Sequence, residues 1–475
     1  MEAVQRHRPD AALPLLAACA IGTVCGLAAV FPDWQIRLLL LSPLLAAGVF
    51  WWTALRPHRW LVLFFTCLLL TPPIPGPVGD AGLHLAPAFA LTGLFAGALR
   101  LGEWRPVLPP VALPLAAFTA ALLASLAPAA LYSGPNVFAG SLLRVGLFTI
   151  SVYVFLFASA GPEQTDAACL WLTRLLFLTA SAAAIFACAD FYFQFPAPAG
   201  FEPQYVWLDE GVFRRAQGLF YEASTLGNFC AFFLVMIAVA LFRPREQSPC
   251  SRLVLAAGGA FFVTALILSY SRASVLNVAA ALAALLVIRA AGRRRIWRPL
   301  GIAVFAALAA GILVNLALPS FSASYWVRIT NSFEYFWYSP NGVLSGRLNN
   351  WVTLATFLAQ QPWQIFFGVG YKTLAYSDVA GAPVVADNTY LSLLVETGLA
   401  GFTAFLFLNT SILRASLRAA RSQRASASFF GEWMFCFWIG QMAQMLSGDL
   451  MTYWRVLPVY FWVLGTAIRK SSEPQ

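Results

Sequence analysis

Apolar stretches of roughly 20 residues recur from residue 13 to residue 468, about the length a helix needs to cross a hydrocarbon core of about 30 Å, with the one at 60–75 short and ending in prolines. They fall near 13–31, 36–55, 60–75, 84–99, 107–131, 138–160, 168–192, 218–242, 253–269, 273–288, 299–318, 388–411, 429–447 and 451–468. Only 11% of the 475 residues are charged, whereas a water-soluble domain usually carries about 25%. So little charge cannot cover a surface facing water, but a surface facing lipid does not need it. Inside lipid every backbone amide must find an internal partner, which leaves helices as the natural form for these runs. The expected fold is all-α, a polytopic bundle of about 12–14 transmembrane helices.

The basic residues set the expected orientation. The formal charge is +10, and 20 of the 30 Lys and Arg residues lie in segments that share one side if the N-terminus is cytoplasmic. The Arg-rich segment 289–298 is the densest of these, and the loop 161–167, with no basic residue, is the exception. This bias predicts a bundle with both termini inside. It also explains the positive charge without nucleic acid, for which no motif is present. The first apolar run reads as a retained helix rather than a cleaved leader. The eight cysteines contain no CxxC pair, and His7, His58 and His84 all fall early, so zinc and disulfide chemistry are not expected.

Most loops opposite the basic side are short. Two are long, near 193–217 and 319–387. In the second, Arg347 to Leu358 has apolar residues at helical spacing before Pro362, which predicts an amphipathic helix at the membrane surface. Charge at a membrane boundary is costly and marks candidate function. Here it gathers in Arg214-Arg215-Ala-Gln-Gly-Leu-Phe-Tyr-Glu222, in Ser269-Tyr-Ser-Arg272 within a tight turn, and in Ser345-Gly-Arg347. The long loop ends in Asp387-Asn388-Thr-Tyr390 and runs on to Glu396, Gly398 and Gly401.

Arginine forks match phosphate oxygens, so Arg215, Arg272 and Arg347 form a candidate site for the diphosphate of a lipid-linked sugar. They would also stabilise that group as it leaves. Asp387 is the candidate base for an acceptor hydroxyl, with Asn388 orienting it or a sugar hydroxyl. Asp387 also reads as a helix N-cap. Glu222 reads either as a binding residue or as the partner of Arg214 or Arg215. Trp351, Tyr371 and Tyr390 are candidate stacking surfaces for sugar rings. Arg37, Arg144, Arg174 and Arg455 read as helix-end anchors, Glu396 as structural, and Gly398 and Gly401 as helix-packing positions. No carboxylate cluster suits a metal, so no cofactor is expected.

In order, Arg-Ala-Gln-Gly-Leu-Phe-Tyr-Glu-Ala-Ser at 215–224, Ser-Tyr-Ser-Arg-Ala at 269–273, Gly-Arg-Leu-Asn-Asn-Trp at 346–351, Phe-Gly-Val-Gly-Tyr at 367–371, and Asp-Asn-Thr-Tyr-Leu through Glu-Thr-Gly-Leu-Ala-Gly at 387–401 resemble the O-antigen ligase and O-antigen polymerase superfamily of bacterial inner membranes. The resemblance covers about 200–411. It implies a GT-C-like, metal-independent, inverting glycosyltransferase that takes a polyprenyl-diphosphate-linked glycan as donor at the periplasmic face. Family arginines matching Arg215 and Arg272 are implicated in diphosphate binding. The family often has His-Asn where this chain has Asp387-Asn388, and the Asp form is more similar to exopolysaccharide and O-antigen polymerases.

The expected organisation is N-terminal transmembrane helices over 1–200, central helices with the arginine motifs over 201–318, a large periplasmic loop over 319–387, and C-terminal helices over 388–475. Expected partners are the lipid-linked donor, a glycan or lipid acceptor, the bilayer and other polysaccharide-assembly proteins, but no nucleic acid. The alternatives are a transporter or flippase of lipid-linked glycans and a structural component of a polysaccharide machine. A flippase would line a central path with charge on both halves of the bilayer, whereas an enzyme would gather it at one face.

Overall fold

The computed structural model describes residues 23, 34–56, 58–74, 84–105, 108–197, 203–208, 211–291, 301, 308–309, 311–335 and 337–473. The span expected at 13–31 lies outside these apart from residue 23, and about half of that at 299–318 lies outside them. Most of the Arg-rich segment 289–298 and the side chain of Arg37 also lie outside.

The described chain is helical. In order, the helices are α1 (Trp34–Leu55), α2 (Arg59–Leu70), α3 (Ala86–Ala98), α4 (Ala112–Ala124), α5 (Leu126–Ala160), α6 (Asp166–Phe193), α7 (Ala223–Leu241), α8 (Arg252–Leu268) and α9 (Arg272–Ala291). There follow α10 (Pro319–Glu334), the short α11 (Pro340–Val343), α12 (Arg347–Gln360), the short α13 (Gln364–Phe367), α14 (Thr389–Ala420), α15 (Ala425–Gln444) and α16 (Leu457–Ser472). Five of them, α5, α6, α7, α9 and α14, are long and apolar enough to cross a membrane. The helix predicted from Arg347 is present and ends just before Pro362.

Three features depart from the expected pattern. The two spans predicted over 107–131 and 138–160 are α4 and one long helix, α5, broken where Gly134 (φ +81) precedes Pro135. Helix α14 is likewise kinked at Gly398 (φ +67). A short antiparallel hairpin, β1 (Tyr205–Leu208) with β2 (Gly211–Arg214), interrupts the all-α pattern within the loop expected at 193–217. Strands of four residues give too little periodicity to be read ahead of the structure.

Helices α7, α9, α14, α15 and α16 pack into the centre, with α5 against α16 and α6 against α8. Phe232 of α7 lies with its ring centroid 4.4 Å from Trp433 and 4.3 Å from Tyr460. Since lipid tails are as apolar as these side chains, close packing and interhelical hydrogen bonds hold such helices together. Buried amides supply those bonds. Asn228 Nδ2 donates to Gln441 Oε1 (2.5 Å) and Gln444 Oε1 (2.8 Å). Asn277 Nδ2 donates to the same Gln444 oxygen (2.9 Å), and Tyr460 Oη donates to Asn228 Oδ1 (2.8 Å). The network ties α7, α9, α15 and α16 together.

Arg243, just past α7, and Arg289, in the last turn of α9, are buried. Both contact Glu432 of α15, Arg243 at 3.1 Å. Glu432 is itself buried, so the arginines offset a charge that could not stand alone there.

Candidate active site

One cavity of about 810 Å³ receives Arg215, Glu222, Arg272, Arg347 and Asp387. These residues come from four separated stretches of sequence, and each has a local reason for its direction.

Adjacent Arg214 and Arg215 take opposite roles. Side chains alternate across an extended strand, so consecutive residues face opposite ways. Arg214, the last residue of β2, turns inward and pairs with Asp190 of α6 at 2.5 Å, with both side chains buried. It also donates to Phe195 O at 2.6 Å. Asp190 accepts from Gly218 N at 3.2 Å, and Gly218 has φ +55 with Ala187 so close that a Cβ would approach its side chain to 2.9 Å. Only glycine fits that turn without strain. Arg215 points to the cavity. Its backbone N–H donates to Gln204 O (2.7 Å), and its Nε donates to Ser269 O (2.8 Å) at the end of α8.

Glu222 is the N-cap residue of α7. Its carboxyl is hydrogen-bonded to Ser224 and Tyr453. Burial raises its pKa above the ordinary carboxylate value, and the nearby Asp387 charge adds to the rise, while the two hydrogen bonds and Lys372 oppose it.

Arg272 opens α9 after a turn in which Tyr270 has φ +56. A cation at a helix N-terminus opposes the helix dipole, and an anion bound there would relieve both. The guanidinium donates to Val343 O (2.5 Å) and Ser345 Oγ (3.3 Å). Ser345 and Gly346 then adopt φ +58 and +83 and deliver Arg347 to the start of α12.

Arg347 Nε donates to Asp387 Oδ2 at 3.0 Å. Asp387 has φ +46, the left-handed region that a non-glycine residue enters at a cost. The next residue, Asn388, caps α14, accepting from Tyr390 N (3.0 Å) and Leu391 N (3.1 Å). The capping role expected of Asp387 therefore belongs to Asn388, and the Asp387 carboxylate is left for the cavity.

Five expected site residues do not line the cavity: Arg214, Trp351, Tyr371, Asn388 and Tyr390. Trp351 Nε1 donates to Ala386 O (2.7 Å) and Asn350 Nδ2 to Val385 O (2.9 Å), so they bind α12 to the segment carrying Asp387. Tyr371 is buried in the core, and Tyr390 Oη donates to Met442 O (3.2 Å). Tyr371 is fully buried, whereas Trp351 and Tyr390 are half-buried and lie off the cavity.

Residues not expected at the site also reach the cavity. Arg455 is buried, not an exposed anchor. It donates to Leu68 O at 3.1 and 2.6 Å, to Thr71 O at 2.9 Å, and to Leu219 O. It thereby fastens the end of α2 to the segment between Arg215 and Glu222. His84 takes a hydrogen bond at Nδ1 from Ala86 N (3.0 Å) and lies beside Thr71 and Trp454. Lys372 and Asp449 meet at 2.5 Å on another wall. Of the other predicted anchors, Arg144 lies over the Tyr376 ring and Arg174 Nε donates to Pro249 O at 2.7 Å. Among the described residues no three His, Cys, Asp or Glu side chains gather at metal-binding distance.

Residues 257–406 match the family model described as O-antigen ligase. The match contains Arg272, Arg347, Lys372 and Asp387, while Arg215, Glu222, Asp449 and Arg455 join the same cavity from outside it. No curated protein matches the chain.

Proposed function

From the O-antigen ligase match over residues 257–406, we propose that the chain is a bacterial inner-membrane glycosyltransferase that transfers or polymerises polyprenyl-diphosphate-linked glycans at the periplasmic face. The supporting observation is that one cavity joins Arg215, Arg272 and Arg347 to Asp387. In this reading a bundle of 12–14 helices keeps both termini in the cytoplasm. The N-terminal helices are residues 1–200, and residues 201–318 carry Arg215 and Arg272. Residues 319–387 form the periplasmic wall of the site, and 388–475 close the bundle.

The arginines hold the donor diphosphate. As the bond between the sugar anomeric carbon and the diphosphate oxygen breaks, its electron pair goes to the diphosphate, whose growing charge the guanidinium groups stabilise. The acceptor oxygen bonds to the anomeric carbon from the opposite side, inverting it, and its proton passes to Asp387. Positive side chains supply the charge neutralisation, so the step needs no metal. The acceptor is a glycan or lipid, and other assembly proteins supply the donor.

Charge stands at both ends of α7 and α9, so it is not gathered at one face, but neutral amides rather than a line of charge separate the two ends. Glu222 and Arg272 stand at the N-terminal ends of α7 and α9, and Arg243 and Arg289 at the far ends of those helices, where they meet Glu432. Between the two ends lie the neutral amides Asn228, Asn277 and Gln441. Arg215→Ala and Arg272→Ala should each abolish transfer from a polyprenyl-diphosphate donor while the protein stays folded in membranes. Full activity in both variants would end the proposal.

A further inference from the structure

The reaction as proposed leaves a charged chain on the cavity wall unused. Lys372 Nζ donates to Asp449 Oδ2 at 2.5 Å, and both residues line the cavity. Ser392 Oγ stands 3.1 Å from that same Asp449 oxygen and 3.1 Å from Glu396 Oε2. Ser392 and Glu396 are buried. The other Asp449 oxygen, Oδ1, is buried with no hydrogen-bond partner.

Backbone contacts hold this arrangement in place. Thr389 N donates to Gly448 O (3.1 Å), and Leu450 N donates to Thr389 Oγ1 (3.1 Å), which clamps the turn carrying Asp449 to the start of α14. Val369 N donates to Val395 O (3.0 Å) and Gly370 N to Glu396 O (2.8 Å), which seats the turn carrying Lys372 on the same helix. The Lys372 backbone N–H is also bonded to the Glu396 carboxyl.

A serine hydroxyl has one hydrogen, and an ionised carboxylate has none to give. If Asp449 and Glu396 were both ionised, Ser392 could satisfy only one. The other contact would be a bare approach of two oxygens in a buried place, where an unmatched charge is expensive. With one further proton on the chain, each contact becomes an O–H···O bond. The cluster is then neutral, with Lys372 positive, one carboxylate negative and one carboxyl protonated. Without that proton it is negative.

We infer that Asp449, Ser392 and Glu396 share one proton beyond the serine's own, and that this chain positions Lys372 as a further cation of the donor site. The inference rests on the diphosphate reading for its second half only. Other charged or titratable groups around the chain are Tyr371, with Arg144 beyond it, and Glu222, which feels the charges of both Lys372 and Asp387. Loss of the shared proton places a negative charge behind Lys372 and opposes an incoming diphosphate. Donor affinity should therefore fall as pH rises.

The test uses the full chain in detergent, with infrared spectroscopy in heavy water and farnesyl diphosphate as the binding probe. The wild type should show the carbonyl band of a protonated carboxyl. Glu396→Gln should lose that band, and Ser392→Ala, which keeps both carboxyls, should shift it. Glu396→Gln cannot ionise, so the ratio of wild-type to variant affinity should fall by about tenfold across the titration of the band, the effect of one pKa unit of coupling. Taking the ratio cancels the ionisation of the probe itself. Absence of the band, or a band unchanged by Glu396→Gln, overturns the shared proton. A ratio independent of pH overturns the role given to Lys372. A wild type that shows the Glu396 band but binds no diphosphate at any pH supports the shared proton and removes the diphosphate reading.

Discussion

Arg347 Nε lies 3.0 Å from Asp387 Oδ2, so the first residue of α12 and the residue just before the α14 cap form one charged unit on the cavity wall. Trp351 and Asn350 keep it assembled by donating to the carbonyls of Ala386 and Val385. The aspartate is thus both presented and strained, with its backbone at φ +46.

The first prediction follows from that unit. Both side chains are partly exposed, and an exposed pair contributes at most about 1 kcal/mol to stability. Asp387→Asn should therefore leave thermal stability in detergent nearly unchanged. Its transfer rate should fall by about 100-fold to 10,000-fold, the usual contribution of a general base. Asp387→Glu should recover part of the rate. A normal turnover rate for the Asn variant, measured with a lipid-linked donor, would exclude Asp387 as the base.

The neighbours Arg214 and Arg215 should separate by stability. Arg214→Ala leaves Asp190 as an uncompensated buried charge, a change that costs about 3–5 kcal/mol. Arg215→Ala removes a hydrogen bond to Ser269 O, worth about 1 kcal/mol. A thermal-unfolding series should show a large downward shift for the first variant and a small one for the second. Equal shifts would contradict the division between inward and cavity-facing arginines.

Apolar length and charge spacing made the helices legible, because both act locally along the chain. The tight turn before Arg272, the helix opening at Arg347 and the grouping of the arginine motifs with Asp387 were all readable. What was not readable depends on direction and distance. Nothing in the pair Arg214-Arg215 says which one faces Asp190, because the strand that decides it is four residues long. Asp387 and Asn388 are both good caps, and only the backbone geometry separates them. Lys372 and Asp449 are 77 positions apart, and neither sits in a pattern that marks the other. Arg455 looks like any arginine at a helix end until the carbonyls around it are known.

Gly398→Ala should be severe. Gly398 has φ +67 and ψ −174, a region open essentially to glycine alone. A Cβ there would also lie 2.6 Å from the Phe366 carbonyl carbon and 2.9 Å from Gly368 N. Backbone strain of about 1–3 kcal/mol adds to a clash that only movement of residues 366–368 can relieve. The expected result is a lower unfolding temperature and faster proteolysis within 363–372. Gly102→Ala, where a Cβ meets nothing within 4 Å, serves as the control. Equal protease resistance in the two variants would show that the kink does not seat this segment.

His84 gives a pH dependence whose sign can be worked out. Burial lowers its pKa from 6.5 to about 4, Arg455 pushes the same way, and the bond to Thr71 opposes them. The ring is therefore neutral in the folded protein, with Nδ1 accepting from Ala86 N and Nε2 beside Thr71. An unfolded histidine binds its proton below about pH 6.5, whereas the folded one resists until about pH 4. The unfolded state thus binds more protons through that window, and stability falls as the solution is acidified. The stabilisation is complete above pH 6.5 and declines by an amount on the order of 3 kcal/mol as pH approaches 4. His84→Asn keeps an acceptor for the Ala86 N–H but has no proton to gain. Its unfolding temperature should therefore be lower than wild type at neutral pH and flatter between pH 6.5 and 4. A variant that remains as acid-sensitive as the wild type across that window would assign the loss to another group.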